Sequence, residues 1–184
     1  MICGVDEAGK GPVIGPLVVA AVKVKNAKDI ENLGVKDSKQ LTPTKRKELA
    51  EIIKSEFDYA VEIIEAEVVD QYRRRNKLNE LNREAFERLI SKLDPNVAYV
   101  DAADVNEQRF GSQIKDSLTN GNDTDVIAMH KADAKIDVVA AASIIAKETR
   151  EREIKKIKDE IGDFGSGYPS DEKTIKFLKS FFAD

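Results

Sequence analysis

The sequence has very little of the chemistry that stabilises secreted, zinc-binding or membrane proteins. It contains one cysteine, Cys3, and one histidine, His130, so it can form no intrachain disulfide and offers few ligands for zinc. Its apolar stretches, such as Pro16 to Val24, have the length of a strand and are too short to cross a bilayer. With no charged-then-apolar leader in view, we expect a cytoplasmic protein without a membrane partner.

The chain also lacks an excess of basic charge. Its formal net charge is -4, so any binding to nucleic acid must rest on local basic patches and not on the whole surface. The 184 residues, 41% of them hydrophobic, are enough for one sizeable core, and no linker or internal repeat divides them. We therefore expect residues 1–184 to form one domain, and the protein to be a monomer.

Periodicity predicts strands that are first clustered and then interleaved with helices, which is typical of an α/β domain with a mixed sheet. A turn rich in glycine and proline separates the first two strands and predicts that they pair in antiparallel fashion. Strands are predicted at Ile2 to Val5, Leu17 to Val24, Tyr59 to Glu67, Val97 to Val100 and Asp125 to Met129. Helices are predicted from Thr42 to about Phe57, across Leu78 to Leu93, from Val138 to Ile161 and from Asp171 to Phe182.

Carboxylates follow three of the predicted strands. Asp6 and Glu7 come directly after the first, Asp101 ends another, and Asp133 follows Met129. Ligands of open α/β sheets gather beyond the carboxyl ends of strands, and carboxylates brought together repel one another unless a divalent cation neutralises them. Oxygen ligands select Mg²⁺ or Mn²⁺. The pattern favours a metal site for phosphodiester chemistry, although a solvated strand end explains any single acidic pair.

A nucleotide hydrolase is the first alternative. Gly4 to Lys10 has the spacing of a phosphate-binding P-loop as far as its lysine. Gly11 stands where that loop needs a hydroxyl for magnesium, and Asp6 and Glu7 would bring negative charge towards the phosphates. The residues that follow, Pro12 to Val24, resemble a turn and a strand and not the helix that such a loop requires.

Basic and aromatic residues suggest a surface for nucleic acid. Lys36 to Lys39 and the run Arg73 to Arg75 could follow a phosphate backbone, or simply lie on solvated faces. Ser143, Lys147 and Arg150 share one stripe of a predicted helix, which sets a hydroxyl and two cations in a row. Tyr168 lies in a glycine-flanked turn, where an aromatic ring is either a hydrophobic plug or a platform for a base or sugar.

Other polar residues near these motifs have simpler interpretations. Asp104 is typical of a turn, and Asp137 fits the N-cap of the helix that begins at Val138. His130 beside a strand is more often structural, and we assign it no catalytic role. Asp104 and Asp137 remain reserves for the acidic site.

In order along the chain, six blocks together resemble the ribonuclease HII family. They are Asp6 to Gly11, Lys36 to Lys39, Val100-Asp101, His130 to Lys135, Ala140 to Lys147 and Gly167 to Asp171. The resemblance implies a ribonuclease H-like fold, with a mixed five-stranded sheet flanked by helices. It also implies endonucleolytic cleavage of the RNA strand in RNA/DNA hybrids and of duplex DNA that carries single ribonucleotides, leaving a 3′-hydroxyl and a 5′-phosphate.

The same resemblance implies roles for individual residues. Asp6, Glu7, Asp101 and Asp133 would be the catalytic carboxylates that hold two Mg²⁺ or Mn²⁺ ions. The backbone of Gly9, Lys10 and Gly11 would read the ribose 2′-hydroxyl, and Tyr168 would pack at the junction with the next deoxynucleotide. Lys39, Ser143 and Lys147 would hold phosphates.

The chain departs from the family pattern in two places. Lys10 stands where arginine is usual, which keeps the charge and loses the planar fork, and Ile136-Asp137 replaces a Tyr-Pro pair. A non-catalytic module that binds hybrids is a further alternative to the enzyme, as is another nuclease of the same fold, such as a junction resolvase.

Overall fold

The computed structural model describes residues 1–35, 41–118 and 123–182. Within these ranges, five strands form one mixed sheet in the order β3-β2-β1-β4-β5. Their bounds are β1 Ile2–Ala8, β2 Leu17–Val24, β3 Asp58–Ile64, β4 Val97–Asp101 and β5 Asp125–Met129. Seven α-helices surround the sheet, namely α1 Lys28–Glu31, α2 Pro43–Glu56, α3 Ala66–Arg74, α4 Leu78–Leu93, α5 Glu107–Ser117, α6 Asp137–Ile161 and α7 Glu172–Phe181.

Strands β1 and β2 form the predicted antiparallel pair, with Ile2 opposite Val24 and Ala8 opposite Val18. The pairing continues three residues further than Val5, where the apolar run ends. Asp6 and Glu7 therefore lie inside the strand and not after it. Their side chains are fixed by the backbone ladder, one on each face of the sheet.

Strands β1, β4 and β5 are parallel, so their carboxyl ends lie at one edge of the sheet. Val5 is paired with Val100 and Asp101 with Met129. This register places Asp6 beside Asp101 on neighbouring strands. The edge predicted to collect the carboxylates is thus formed by the topology itself.

Helices cover both faces of the sheet, and each face has its own apolar core. Leu17, Val19 and Ala21 of β2 contribute to the core formed with α4 and α5. Val18, Ala20 and Val22 contribute to the core formed with α2 and α6. Because both faces of β2 are buried, the strand has a continuous apolar sequence instead of an alternating one.

Gly4 explains how closely α6 approaches the sheet. A Cβ atom at Gly4 would lie 2.3 Å from the backbone carbonyl of Val138, which no side chain tolerates. The start of α6 therefore rests directly on β1. This contact brings the residues of the first turns of α6 next to Asp6.

The predicted strand from Tyr59 to Glu67 is wrong at its end. The strand stops at Ile64, Glu65 is the extended N-cap, and α3 begins at Ala66. The alternation continues across the junction because Glu65, Ala66 and Glu67 are polar, apolar and polar in turn, although Ala66 and Glu67 already belong to the helix. Sequence patterns also missed α1, α5 and the 3₁₀ turn Ala132–Ala134, all of them short.

The predicted start of α2 is confirmed, and α7 begins at an acidic cap. The Thr42 hydroxyl accepts a hydrogen bond from the backbone N–H of Lys45, and the Asp171 carboxylate accepts one from that of Lys173. The expected N-cap role of Asp137 is wrong, because Ile136 is the cap and Asp137 is the first helical residue. An acidic residue in the first turn still interacts favourably with the helix dipole.

No helix in the described ranges combines the length and apolarity that crossing a membrane would require.

Candidate active site

Three carboxylates interact at the carboxyl edge of β1 and β4. Asp6 is 5% exposed, and the backbone N–H of Glu7 donates a hydrogen bond of 2.8 Å to its Oδ1. Burial raises the pKa of Asp6 well above its ordinary value, and the charges of Glu7 and Asp101 raise it further. The cluster is therefore electrostatically costly when all its members are ionised.

Glu7 lies in a comparable environment. Burial raises its pKa to about 7, the positive charge of Lys10 lowers it, and Asp101 raises it again. Lys10 is itself held in place, since its Nζ donates to the Asn79 Oδ1 at 2.8 Å and to the Ala103 carbonyl at 2.7 Å. Lys10 is thus anchored to α4 and to the loop after β4, beside the carboxylates.

Asp133 is brought to the same edge through Asp101. The backbone N–H of Ala132 donates a hydrogen bond of 3.1 Å to the Asp101 Oδ1, which fixes the 3₁₀ turn against the end of β4. Asp133, the next residue, is 5% exposed. The turn after β5 therefore places Asp133, a buried carboxylate like Asp6, next in sequence to Ala132, which contacts Asp101 directly.

Ser143 lies deeper than the sequence suggested. It is fully buried in α6, and its hydroxyl faces Asp6 closely enough to lower the pKa of that carboxyl. A buried hydroxyl beside Asp6 is better placed to hold the carboxylate than to contact a phosphate. Lys147, one turn further along α6, is half-buried and lines an open cleft.

The glycine-flanked turn after β1 is supported by two arginines. Arg73 Nη2 donates to the carbonyls of Lys10 at 3.1 Å and Pro12 at 3.4 Å, and Arg150 donates to those of Ile14 at 3.1 Å and Pro16 at 3.3 Å. We call residues 9–16 the glycine loop. The hydrogen bonds from these two charged side chains to backbone carbonyls fix the conformation of the loop.

Gly9 shows how tightly this loop is packed. Its φ is +101°, and a Cβ atom there would lie 2.4 Å from the Pro16 carbonyl oxygen and 2.5 Å from Arg150 Nε. No other residue type fits that backbone and that space.

Tyr168 packs against the glycine loop. A Cβ atom on Gly11 would lie 3.3 Å from Tyr168 Cε1, and the Val13 N–H donates a 2.7 Å hydrogen bond to the Gly167 carbonyl. The ring remains 45% exposed. The two turns singled out in the sequence are therefore joined, and they present one surface to solvent.

An open cleft of about 490 Å³ connects these parts. It extends from Glu7 past the glycine loop to Tyr168, and Lys147 and Arg150 line its other side. Arg46 of α2 also lines it, and its guanidinium pairs with Glu148 at 2.6 Å and with Glu151. The cleft thus has Glu7 of the carboxylate cluster at one end and an exposed aromatic ring at the other, with cations along its sides.

Several of these residues were missed or misjudged from the sequence. The basic run Lys45 to Lys47 is typical of a solvated helical face, yet the side chain of Arg46 within it is only 13% exposed. Arg73 supports the glycine loop, while Arg74 and Arg75 are exposed. Asn79 and Asn82 are polar residues three apart in a helix of leucines, a spacing that places both on one face of α4.

The remaining candidates are peripheral. Asp104 pairs with Arg109 at 2.7 Å and accepts from the Asn106 N–H, as expected of a turn residue. His130 is partly exposed, 4.0 Å from Glu107. The expected phosphate contact of Lys39, and the whole block from Lys36, lie outside the described residues. Across the described ranges, no three acidic, histidine or cysteine side chains are gathered closely enough to hold a metal ion as they stand.

Comparison with known proteins gives the family. The sequence profile of ribonuclease HII matches residues 3–184. Ribonuclease HII of Pyrococcus abyssi is 48% identical over 99% of this chain and 82% of its own length. In the solved complex of PCNA and RNase HII from Archaeoglobus fulgidus, the matching chain is 45% identical with a TM-score of 0.93, over 100% of this chain and 89% of that one.

A more distant structure shares the fold. Bst-RNase HIII, solved in complex with Mn²⁺, is 24% identical with a TM-score of 0.78, and the match covers 100% of this chain and 70% of that one. The sheet order and the position of the cleft therefore define a ribonuclease H-like protein. The chain belongs to the ribonuclease HII family and is an endoribonuclease. The P-loop alternative is excluded by the fold, because the strand β2 follows the glycine loop where a helix would be needed.

Proposed function

We propose that this enzyme hydrolyses the RNA strand of RNA/DNA hybrids and cuts on the 5′ side of single ribonucleotides embedded in duplex DNA. The observation that carries the proposal is that the glycine loop packs against the turn of Tyr168 and lies beside the carboxylate cluster. Glu7, the loop and Tyr168 line one cleft. Recognition of one ribose and cleavage of the adjacent phosphodiester require these two parts side by side. The products would carry a 3′-hydroxyl and a 5′-phosphate.

Asp6, Glu7, Asp101 and Asp133 fit a site for Mg²⁺ or Mn²⁺. They offer only oxygen ligands, which hard divalent cations prefer. Burial raises the pKa values of Asp6 and Glu7, and the charge of Asp101 raises both further, so a bound cation would relieve an unfavourable concentration of negative charge. Two such ions would activate the attacking water and stabilise the leaving 3′-oxygen. Because like charges hold the carboxylates apart, we expect the side chains to close when a cation binds.

The chain's own groups supply binding and selectivity. Gly9, Lys10 and Gly11 line the cleft, so a sugar bound there would meet the backbone of the glycine loop, whose amides can bond to a 2′-hydroxyl. The exposed ring of Tyr168 can stack on the neighbouring nucleotide. Lys147 lines the path between them and is placed to bind phosphate, as we also propose for Lys39.

One cleavage assay tests the proposal. The substrates are an end-labelled DNA duplex with one ribonucleotide, its all-DNA counterpart and an RNA/DNA hybrid, each with Mg²⁺, Mn²⁺ or EDTA. We expect a single cut 5′ of the ribonucleotide, cuts along the hybrid and none in the all-DNA duplex or in EDTA. Binding of the hybrid without product in any metal would instead identify a binding module, and cleavage of branched DNA would identify a resolvase.

We also propose PCNA as a protein partner. The Archaeoglobus fulgidus relative was solved in complex with PCNA. In this chain Phe181 and Phe182, at the end of α7, are 56% and 79% exposed, although large aromatic side chains are usually buried. Archaeal PCNA binding, measured by surface plasmon resonance, should be lost in Phe181→Ala/Phe182→Ala and kept in Val105→Ala, which removes another exposed apolar side chain from the loop between β4 and α5.

A further inference from the structure

Asn82 is a polar residue in an apolar position. It is fully buried in α4, where the other buried residues are Leu81, Ala85, Phe86, Leu89, Ile90 and Leu93. Neither its Nδ2 nor its Oδ1 has a hydrogen-bond partner of ordinary geometry. Burying an amide without such partners costs free energy, so folding alone gives no reason for this side chain.

The direction of the side chain supplies a reason. Glu7 lies two residues after Val5 in β1 and therefore on the same face, and Val5 packs in one core with Leu81 of α4, so the Glu7 side chain is on the α4 side of the sheet. The Asn82 amide lowers the pKa of the Glu7 carboxyl, opposing the rise that burial causes. Asn79, one turn earlier on the same face, accepts the hydrogen bond from Lys10. The first turns of α4 therefore present two amides to the end of β1, one towards the acidic residue and one towards its neighbouring cation.

We propose that Asn82 is a positioning residue, whose Nδ2 donates to the Glu7 carboxylate and fixes the direction in which that carboxylate points. The inference rests on the proposed metal site. An ionised carboxylate on a flexible side chain loses rotamer freedom when it binds a cation, and a donor that holds it in advance reduces that loss. The neutral amide does so without adding a charge to a crowded acidic cluster.

Metal affinity tests this role without relying on catalysis. Titration calorimetry with Mn²⁺ alone should show affinity at least tenfold weaker in Asn82→Leu than in the native chain, which is the range typical of groups that orient metal ligands. Leucine branches at Cγ as asparagine does but is larger, so any change in the melting temperature without metal is measured alongside the affinity. Asn82→Ala, which fits in any space that asparagine fills, should show the same loss of affinity.

The matched control is Leu89→Ala in the same helix. Leu89 is a core residue, 4% exposed, so its truncation should lower the melting temperature and leave the Mn²⁺ affinity unchanged. Native affinity in Asn82→Leu and in Asn82→Ala, together with a loss in Asp101→Asn, would overturn the positioning role and keep the metal site. An absence of Mn²⁺ binding in the native chain would overturn both.

Discussion

The guanidinium of Arg73, at the end of α3, donates a hydrogen bond to the backbone carbonyl of Lys10, 3.1 Å away in the glycine loop. The contact joins residues 63 positions apart in the sequence. It assigns Arg73 a structural task beside the cleft, whereas Arg74 and Arg75 project into solvent. Of the three arginines that together resemble a phosphate-binding patch, Arg73 therefore supports the glycine loop, and Arg74 and Arg75 are exposed.

Arg73→Ala should impair the enzyme through the glycine loop. The change removes two charge-assisted hydrogen bonds, to Lys10 and Pro12, and should lower the free energy of unfolding by about 1–3 kcal/mol. Since the loop is proposed to read the ribose, kcat/KM on the single-ribonucleotide duplex should fall more than on the RNA/DNA hybrid, where several riboses can be used. Thermal melting and cleavage assays measure the two effects.

Arg74→Ala is the matched control for Arg73, because it removes the same charge from the same helix end without touching the loop. It should leave the melting temperature unchanged and weaken both substrates equally, with a smaller salt dependence of binding if Arg74 contacts phosphate. Equal losses in both substrates from Arg73→Ala would show that Arg73 acts as a phosphate contact and not as a support of the loop.

The sequence was most informative where short-range signals and long-range packing agree. The Gly-Pro turn predicted the β1–β2 pair, and Thr42 with Pro43 predicted the start of α2, because each signal acts within a few residues. The carboxylates at the ends of β1 and β4 were predictable because parallel strands end at one edge. These features required no knowledge of distant contacts.

What the sequence could not predict depends on contacts between distant elements. Arg46 looked like a solvated residue until α6 supplied Glu148 and Glu151, more than 100 positions away. Ser143 belongs to a predicted row of polar groups, and the close packing of α6 on Gly4 buries it beside Asp6. The helix α3 was not predicted, because it has only nine residues and its two adjacent valines are as typical of a strand as of a helix.

Glu7 should make the stability of the metal-free protein depend on pH. Burial raises its folded pKa to about 7 from an ordinary 4.5, while Lys10 opposes that shift and Asp101 adds to it. Between these values the folded state binds more protons than the unfolded state, so stability falls as pH rises from about 4.5 to about 7. Asp6 shifts in the same direction.

Melting in EDTA across that range measures the effect. The melting temperature of Glu7→Gln minus that of the native chain should grow as pH rises from 4.5 to 7 and stay constant above 7. Mn²⁺ affinity of the native chain should rise over the same interval, since the cation displaces a proton. A temperature difference independent of pH would mean that Glu7 is ionised throughout the range and unaffected by its surroundings.

Mn²⁺ or Mg²⁺ should raise the melting temperature of the native chain, because a ligand that binds only the folded state stabilises it by mass action. Asp101→Asn should shrink that rise, since the variant removes one charge from the cluster around Asp6. Asp125 is exposed and lies at the start of β5, away from the carboxyl ends of the parallel strands, so Asp125→Asn should respond like the native chain. An undiminished rise in Asp101→Asn would remove Asp101 from the site.

Asp133→Asn should abolish most turnover and leave hybrid binding largely intact, because it removes a proposed ligand charge while keeping the shape of the side chain. Binding measured by fluorescence anisotropy in Ca²⁺ and cleavage measured in Mg²⁺ separate the two effects. Asp137→Asn is the comparison, since Asp137 lies in the first turn of α6 close by in sequence. If Asp133→Asn cuts nearly as well as the native chain and Asp137→Asn does not, the fourth ligand is Asp137.

Tyr168 should matter most for a lone ribonucleotide. Its ring rests on Gly11 and remains 45% exposed, so it can stack on the nucleotide that follows a ribose held by the glycine loop. Tyr168→Ala should slow the single-ribonucleotide reaction, because the variant loses about 1–3 kcal/mol of transition-state stabilisation, the usual contribution of base-aromatic stacking.

Tyr168→Phe keeps the ring and should retain most of the activity, which separates stacking from a role of the hydroxyl. Gel mapping of end-labelled products should place the native cut 5′ of the ribonucleotide, whichever base it carries, because the proposed contacts involve the sugar and the backbone. If the native enzyme cuts only runs of several ribonucleotides, or if Tyr168→Ala slows hybrids and single ribonucleotides alike, then Tyr168 does not test the junction, and its ring serves to pack the glycine loop against the turn before α7.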